Sequence, residues 1–204
     1  MWVFNGYFGA DSECLVGFTG RKLRQHPART GAATLGICES NEHIDQTTRR
    51  LMKAIGYRGI VDMGYRFDAR DGRYKLLDVN PRLGASFRLF VGRDGMDVVR
   101  AMYLDLTGQP VPPTSTVEGR RWWVEPNDLW TRRELAREHA MTWRAWLGSL
   151  RGVQEAAWFA VDDPLPFAAM AALFVSQPVY RALARTRLAG PTALRLARRL
   201  QGGG

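Results

Sequence analysis

The chain has 204 residues, 46% of them hydrophobic, and a formal charge of +9 from 29 Lys and Arg against 20 Asp and Glu. That length and composition fit a globular core of one or two domains and exclude a collagen-like or wholly disordered chain. No apolar run reaches the twenty residues of a membrane span, and no signal segment precedes the first strand-like residues, so a cytoplasmic location is expected. Cys14 and Cys38 lie apart without a Cys-x-x-Cys motif, which predicts free thiols. His26, His43 and His139 show no metal-ligand spacing.

In chain order, strands are expected near 2–8 and 14–24, with a turn at Gly9–Ser12. A helix follows at about 41–55. Ile44, Leu51, Met52 and Ile55 form its apolar face, Ser40 or Asn41 caps it, and Gly56 ends it. Residues 59–69 and 73–79 read as a hairpin, with Arg70-Asp71-Gly72 as its loop and glycine at the left-handed position. Pairing Ala69 with Arg73 sets Asp62 opposite Asn80 and Gly64 opposite Asp78. Asp78 and Asn80, two apart on one strand, share a face. They and Asp62 then converge as oxygen ligands of the kind Mg²⁺ takes, and the Arg82 fork suits phosphate oxygens.

The stretch 83–93 leads to a helix at 95–107 built on Val98, Val99, Met102, Tyr103 and Leu106. The proline-rich stretch from Gln109 predicts a linker, giving an expected boundary between residues 1–112 and a mainly helical extension, 113–204. Within the extension, a short strand is expected at Arg120–Glu125. Thr131 and Glu134 form a capping box opening a helix that reaches about Leu150, with Leu135, Trp143, Trp146, Leu147 and Leu150 as its stripe. Val161–Pro166 reads as a turn. From Pro164 to Gly204 there are six Arg and no acid, alternating with leucine at helical spacing. Such a tail suits a weak contact with a partner or an anionic membrane surface. Nucleic acid is the less favoured partner, because no recognition motif accompanies the charge.

The run Asp78-Val-Asn-Pro-Arg82 at the end of a hairpin resembles the Glu-x-Asn-x-Arg signature of the ATP-grasp ligases. The run from Phe18 to Pro27, then Gly31, then Glu39-Ser-Asn41 and a helix ending near Gly56, is similar to the second half of that fold. Among such enzymes the likeness is to carboxylate–amine ligases of the D-aspartate ligase type. The resemblance implies an α+β fold with an antiparallel sheet and flanking helices. It implies ATP and Mg²⁺ as cofactors, and small carboxylate and amine substrates joined through an acyl phosphate.

Residue by residue, the resemblance makes Asp78 the carboxylate bridging two metal ions and Asn80 a ligand of the second. Arg82 would hold the transferring phosphoryl group, and Arg21, Lys22 and Arg24 would place charge around the γ-phosphate or the substrate carboxylate. The family's first metal carboxylate falls in the window Gly64–Phe67, where this chain has no acid. Asp62 is expected to substitute, with Asp68 the weaker candidate. The resemblance also implies that the adenine strand and the lysine loop over the phosphates are supplied elsewhere, by another chain or an upstream segment. Two other functions fit the sequence: a non-catalytic remnant acting as a binding module, and a basic membrane- or nucleic-acid-associating protein with an incidental hairpin.

Overall fold

The computed structural model describes the backbone of residues 1–185, with the side chains of 1–174 and of Ser176. One compact unit runs from Met1 to Ala157 and a second comprises Trp158–Gly204.

The first unit is built on one seven-stranded sheet. Strands β1 (Trp2–Phe8), β2 (Cys14–His26) and β3 (Ala32–Cys38) precede helix α1 (Glu42–Ala54), and the hairpin β4 (Gly59–Asp68) and β5 (Arg73–Asn80) follows it. Helix α2 (Val98–Leu106), β6 (Arg121–Trp123), α3 (Glu125–Arg137), α4 (Trp143–Ser149) and β7 (Val153–Ala156) complete it. The strand order is β5-β4-β1-β2-β3-β6-β7. All neighbours are antiparallel except β6 and β7, which run parallel, so the sheet is mixed where an antiparallel one was expected. Residues 113–157 thus add two strands to the sheet as well as helices.

Alternation along β1 divides the core. Val3 and Tyr7 turn toward α2, where they pack with Phe18, Ile60, Phe90 and Val98. Phe4 and Phe8 turn toward α1 and meet Ile44, Met52, Val61 and Met63. Helix α1 begins as its sequence predicts, with the Asn41 side chain accepting from the Ile44 amide at 3.1 Å. Helix α2 buries Val98 and Ala101, while Tyr103 and Leu106 of its expected stripe stay exposed.

The predicted register of the hairpin holds where the ligands lie: Asp62 faces Asn80 and Gly64 faces Asp78. At the turn it does not hold, since Asp68 rather than Ala69 pairs with Arg73, and a bulge between Gly64 and Tyr65 skips Leu77 to absorb the difference. Two further expectations are corrected. The helix foreseen from Thr131 begins at Glu125, because Pro126 suits a first helical turn and Val124 is already extended. It stops at Arg137, His139 takes a positive φ of 55°, and Thr142 caps a separate α4. The predicted stripe is therefore broken: Trp146 is buried, but Trp143 and Leu147 are exposed.

In the second unit, α5 spans Leu165–Arg185. Most of the arginine-rich tail, from residue 186 onward, lies outside the described residues. Among the described residues no helix is long and apolar enough to cross a membrane.

Candidate functional site

The face of the sheet that carries α2 also carries a polar cluster. Asp62 sits on that face of β4, Asp78 and Asn80 on β5, and Lys22 on β2, with Arg82 just beyond β5. All five line one cavity of about 410 Å³. The Asn80 amide donates to Asp78 Oδ2 at 2.9 Å, and Arg82 lies 3.4 Å from Asn80 Oδ1 while donating to the Leu83 carbonyl. Lys22 Nζ donates to the Gly31 carbonyl at 3.5 Å.

Two glycines admit this arrangement by having no side chain. A Cβ on Gly64 would stand 2.0 Å from Asp78 Oδ1, so the missing side chain leaves room for the Asp78 carboxylate to fold over the strand. The segment after β5 returns across the sheet and roofs Asp62, and a Cβ on Gly84 would stand 2.4 Å from Asp62 Cγ.

Asp62 is the unusual member. Its Oδ1 is buried with no hydrogen-bond partner. Opposite it on β1, Asn5 is fully buried, and its amide lies near enough to Asp62 to act on its carboxyl while meeting no partner in hydrogen-bond geometry. Burial pushes the Asp62 carboxyl above its ordinary range; Lys22 and the Asn5 amide pull it down, Asp78 raises it further, and Arg82 lowers it slightly. No cation among the described residues comes within ion-pair distance of Asp62 or Asp78. A buried acceptor left unpaired is costly unless something positive or hydrogen-bonding meets it.

The cluster suits a small hard cation, which takes carboxylate and carboxamide oxygens. Its donors are two carboxylates and one carboxamide, and no group of three or more His, Cys, Asp or Glu with metal-binding geometry occurs among the described residues. Asp68, the weaker candidate, is at the far end of the hairpin, bound to Arg70, whose hydrogen bonds hold its carboxyl low.

Two predicted cations lie elsewhere. Arg21 points to the α1 face, where it donates to Glu39 at 2.8 Å and stands 5.6 Å from the centre of the Trp2 ring. Arg24 is buried and forked onto Asp128, with both contacts at 2.7 Å. Arg21 faces away from Lys22 by ordinary strand alternation, and the bulge at Leu23 turns Arg24 away as well.

Sequence reasoning passed over Asn5, Gly84 and Asp128. An asparagine in the middle of the apolar run Trp2–Phe8 was a usable signal, because polar side chains at core positions are rare without a reason. Asp128 offered none, since it meets Arg24 across 104 residues of chain.

No family model matches the chain. D-aspartate ligase of Enterococcus faecium (strain Aus0004) is 29% identical over 147 residues, covering 68% of this chain and 34% of that protein. The aligned part is longer than residues 1–112, so it reaches past the expected boundary. Acetyl-CoA carboxylase 2 of Oryza sativa subsp. japonica is 38% identical over 63 residues, 31% of this chain and 3% of that one. Among solved structures, a variant of Rhizobium etli pyruvate carboxylase crystallised without acetyl coenzyme A aligns with a TM-score of 0.42 and 21% identity, over 53% of this chain and 11% of that one. The sequence likeness to a D-aspartate ligase, expected from the Asp78–Arg82 motif, is found, and the chain spans about a third of that relative's length.

Proposed function

We propose that this chain is the metal- and phosphate-binding part of an ATP-dependent carboxylate–amine ligase. The observation that carries the proposal is the buried, unpartnered Oδ1 of Asp62 in the cavity that Asp78, Asn80, Lys22 and Arg82 also line. The sequence likeness to a D-aspartate ligase supports it.

In this reading Asp62, Asp78 and Asn80 hold Mg²⁺, which when bound neutralises charge on the phosphoryl group in transfer. Arg82 offers a planar fork to the phosphoryl oxygens at the mouth of the cavity, and Lys22 supplies a second positive charge from β2. Together they stabilise charge on the phosphoryl group as it moves to the substrate carboxylate and then leaves the acyl phosphate as the amine attacks. Asn80, bonded to Asp78 and next to Arg82, fixes the spacing between the acidic and basic halves of the site. Arg21 and Arg24 position strands rather than substrate, by their pairs with Glu39 and Asp128.

A second reading is a module that binds Mg-ATP without turning it over. The absence of a carboxylate at position 64 favours it, because Asp62 must then act from one pleat further along the strand. Turnover separates the two. The chain joined with the complementary amino-terminal part of a ligase should release ADP when supplied with a carboxylate and an amine. Arg82→Ala should lower that rate by about 10²-fold or more, as loss of a donor to developing charge does. ADP release that is undetectable in the complemented chain, with Mg-ATP bound, would select the second reading.

A further inference from the structure

A helix on the surface of a folded domain carries polar or charged residues on the side that meets water. Helix α5 does not. Its half-buried residues Phe167, Met170, Ala171 and Phe174 follow helical spacing and form one face, with the Phe167 ring meeting Phe159 edge-on at 5.5 Å. The opposite face consists of Leu165, Ala168, Ala169, Ala172 and Leu173, all exposed, Leu165 by 75% and Leu173 by 49%. Ser176 continues that face, and its hydroxyl is turned back onto the Leu173 carbonyl at 3.0 Å. No charged residue occurs between Pro164 and Tyr180. A helix that is apolar on both faces is ordinarily covered on both.

We infer that the outward face of α5 lies on an anionic lipid surface. The inference is independent of the ligase reading. Charge selects the occupant: from Pro164 to Gly204 the only charged side chains are six Arg, the first of them Arg181 within α5. An apolar face and a purely cationic sequence therefore follow one another. Interfacial helices combine these two features, the apolar side sinking to the boundary of headgroups and acyl chains while the cations meet lipid phosphates. Asp162 and Asp163, the only acids of the second unit, precede the helix, at the end remote from the arginines. Trp158, Phe159 and Val161 are exposed as well, and aromatic rings favour the headgroup level of a membrane.

Other occupants fit less well. A second copy of the chain would bring two sets of six Arg together, and their repulsion would oppose the pairing. A nucleic acid would meet the arginines but leave the apolar face in water. Among the described residues no helix is long and apolar enough to cross a membrane, so α5 rests on the surface rather than spanning it.

The test is flotation of the full chain with vesicles of phosphatidylcholine and with vesicles that also contain phosphatidylglycerol. The chain should float with the anionic vesicles, stay largely unbound with the neutral ones, and be released by salt as the charge contacts are screened. Leu173→Glu, at an exposed position where folding is not at stake, should weaken binding to anionic vesicles at least about tenfold, and the uncharged Leu173→Gln should weaken it less. Replacing Arg198 and Arg199 by Gln should cost about fivefold for each arginine. No flotation with the anionic vesicles, or flotation that Leu173→Glu leaves unchanged, would overturn the inference. So would a vesicle-free mass that doubles with concentration in the unaltered chain and not in Leu173→Glu, which would assign the face to a second copy. Tighter binding to a DNA duplex than to the anionic vesicles would likewise overturn it, by assigning the arginines to nucleic acid.

Discussion

Asp128 is a fully buried carboxylate and Asp62 a half-buried one in the same unit, and their surroundings are opposite. Asp128 is fully buried and accepts five hydrogen bonds: two from Arg24, and one each from Thr34, Trp123 and Trp146. It ties β2, β3, β6, α3 and α4 together, and nothing remains for it to bind. Asp62 lies under Gly84 with one oxygen unpartnered, opposite an asparagine that is unpartnered as well. The same side chain therefore closes the fold in one place and stays open to a ligand in the other. A charge is structural when the protein satisfies it and a candidate site when the protein does not.

Three substitutions sharpen the contrast. Asp128→Ala should have the largest effect, about 3–5 kcal/mol of stability, because it leaves the Arg24 guanidinium buried without its counter-charge. Urea unfolding measures it, and a loss below about 1 kcal/mol would show that the hub is not what holds the helical layer to the sheet. Gly84→Ala comes next. Its Cβ would stand 2.4 Å from Asp62 Cγ, so either the roof or the carboxylate must shift, at about 1–3 kcal/mol and with weaker Mg²⁺ binding. Unchanged stability and unchanged Mg²⁺ affinity would mean the segment does not close over Asp62.

Asp62→Asn should have the smallest effect on the metal-free chain, and its sign depends on pH. Because burial raises the Asp62 carboxyl above its ordinary 3.8, the folded chain holds a proton there that the unfolded chain has lost. Stability then falls as pH rises from 3.8 through the raised value. Without metal, Asn should raise Tm above that window and leave it unchanged below 3.8. A Tm that falls at neutral pH in metal-free buffer would show that the carboxylate is satisfied after all.

Much of the site was legible because strand geometry is rigid. Alternation put Asp78 and Asn80 on one face, and the hairpin loop ending in Gly72, whose φ is 69°, brought Asp62 opposite Asn80. The bulge at Leu77 was invisible, since it arises from a four-residue connection and leaves no composition signal. The strand Ala32–Cys38 was passed over for a related reason. Its two alanines and its glycine are poor strand formers, and it is a strand because β2 and β6 pair with it on both sides. Arg21 opposes Lys22 by the same alternation, a signal the sequence did carry, whereas the direction of Arg24 depends on the bulge at Leu23 and on Asp128, far along the chain. Local pattern told that cations were present, and tertiary pairing decided which of them face the cavity.

The central claim is that Asp62 and Asp78 share one cation. Calorimetric titration of Mg²⁺, with and without ATP, into the chain and into Asp62→Asn and Asp78→Ala tests it most directly. The account predicts saturable binding that strengthens with pH as Asp62 ionises and is lost in both variants. Binding that persists undiminished in Asp62→Asn would contradict it, placing the ion away from the Asp62 side chain.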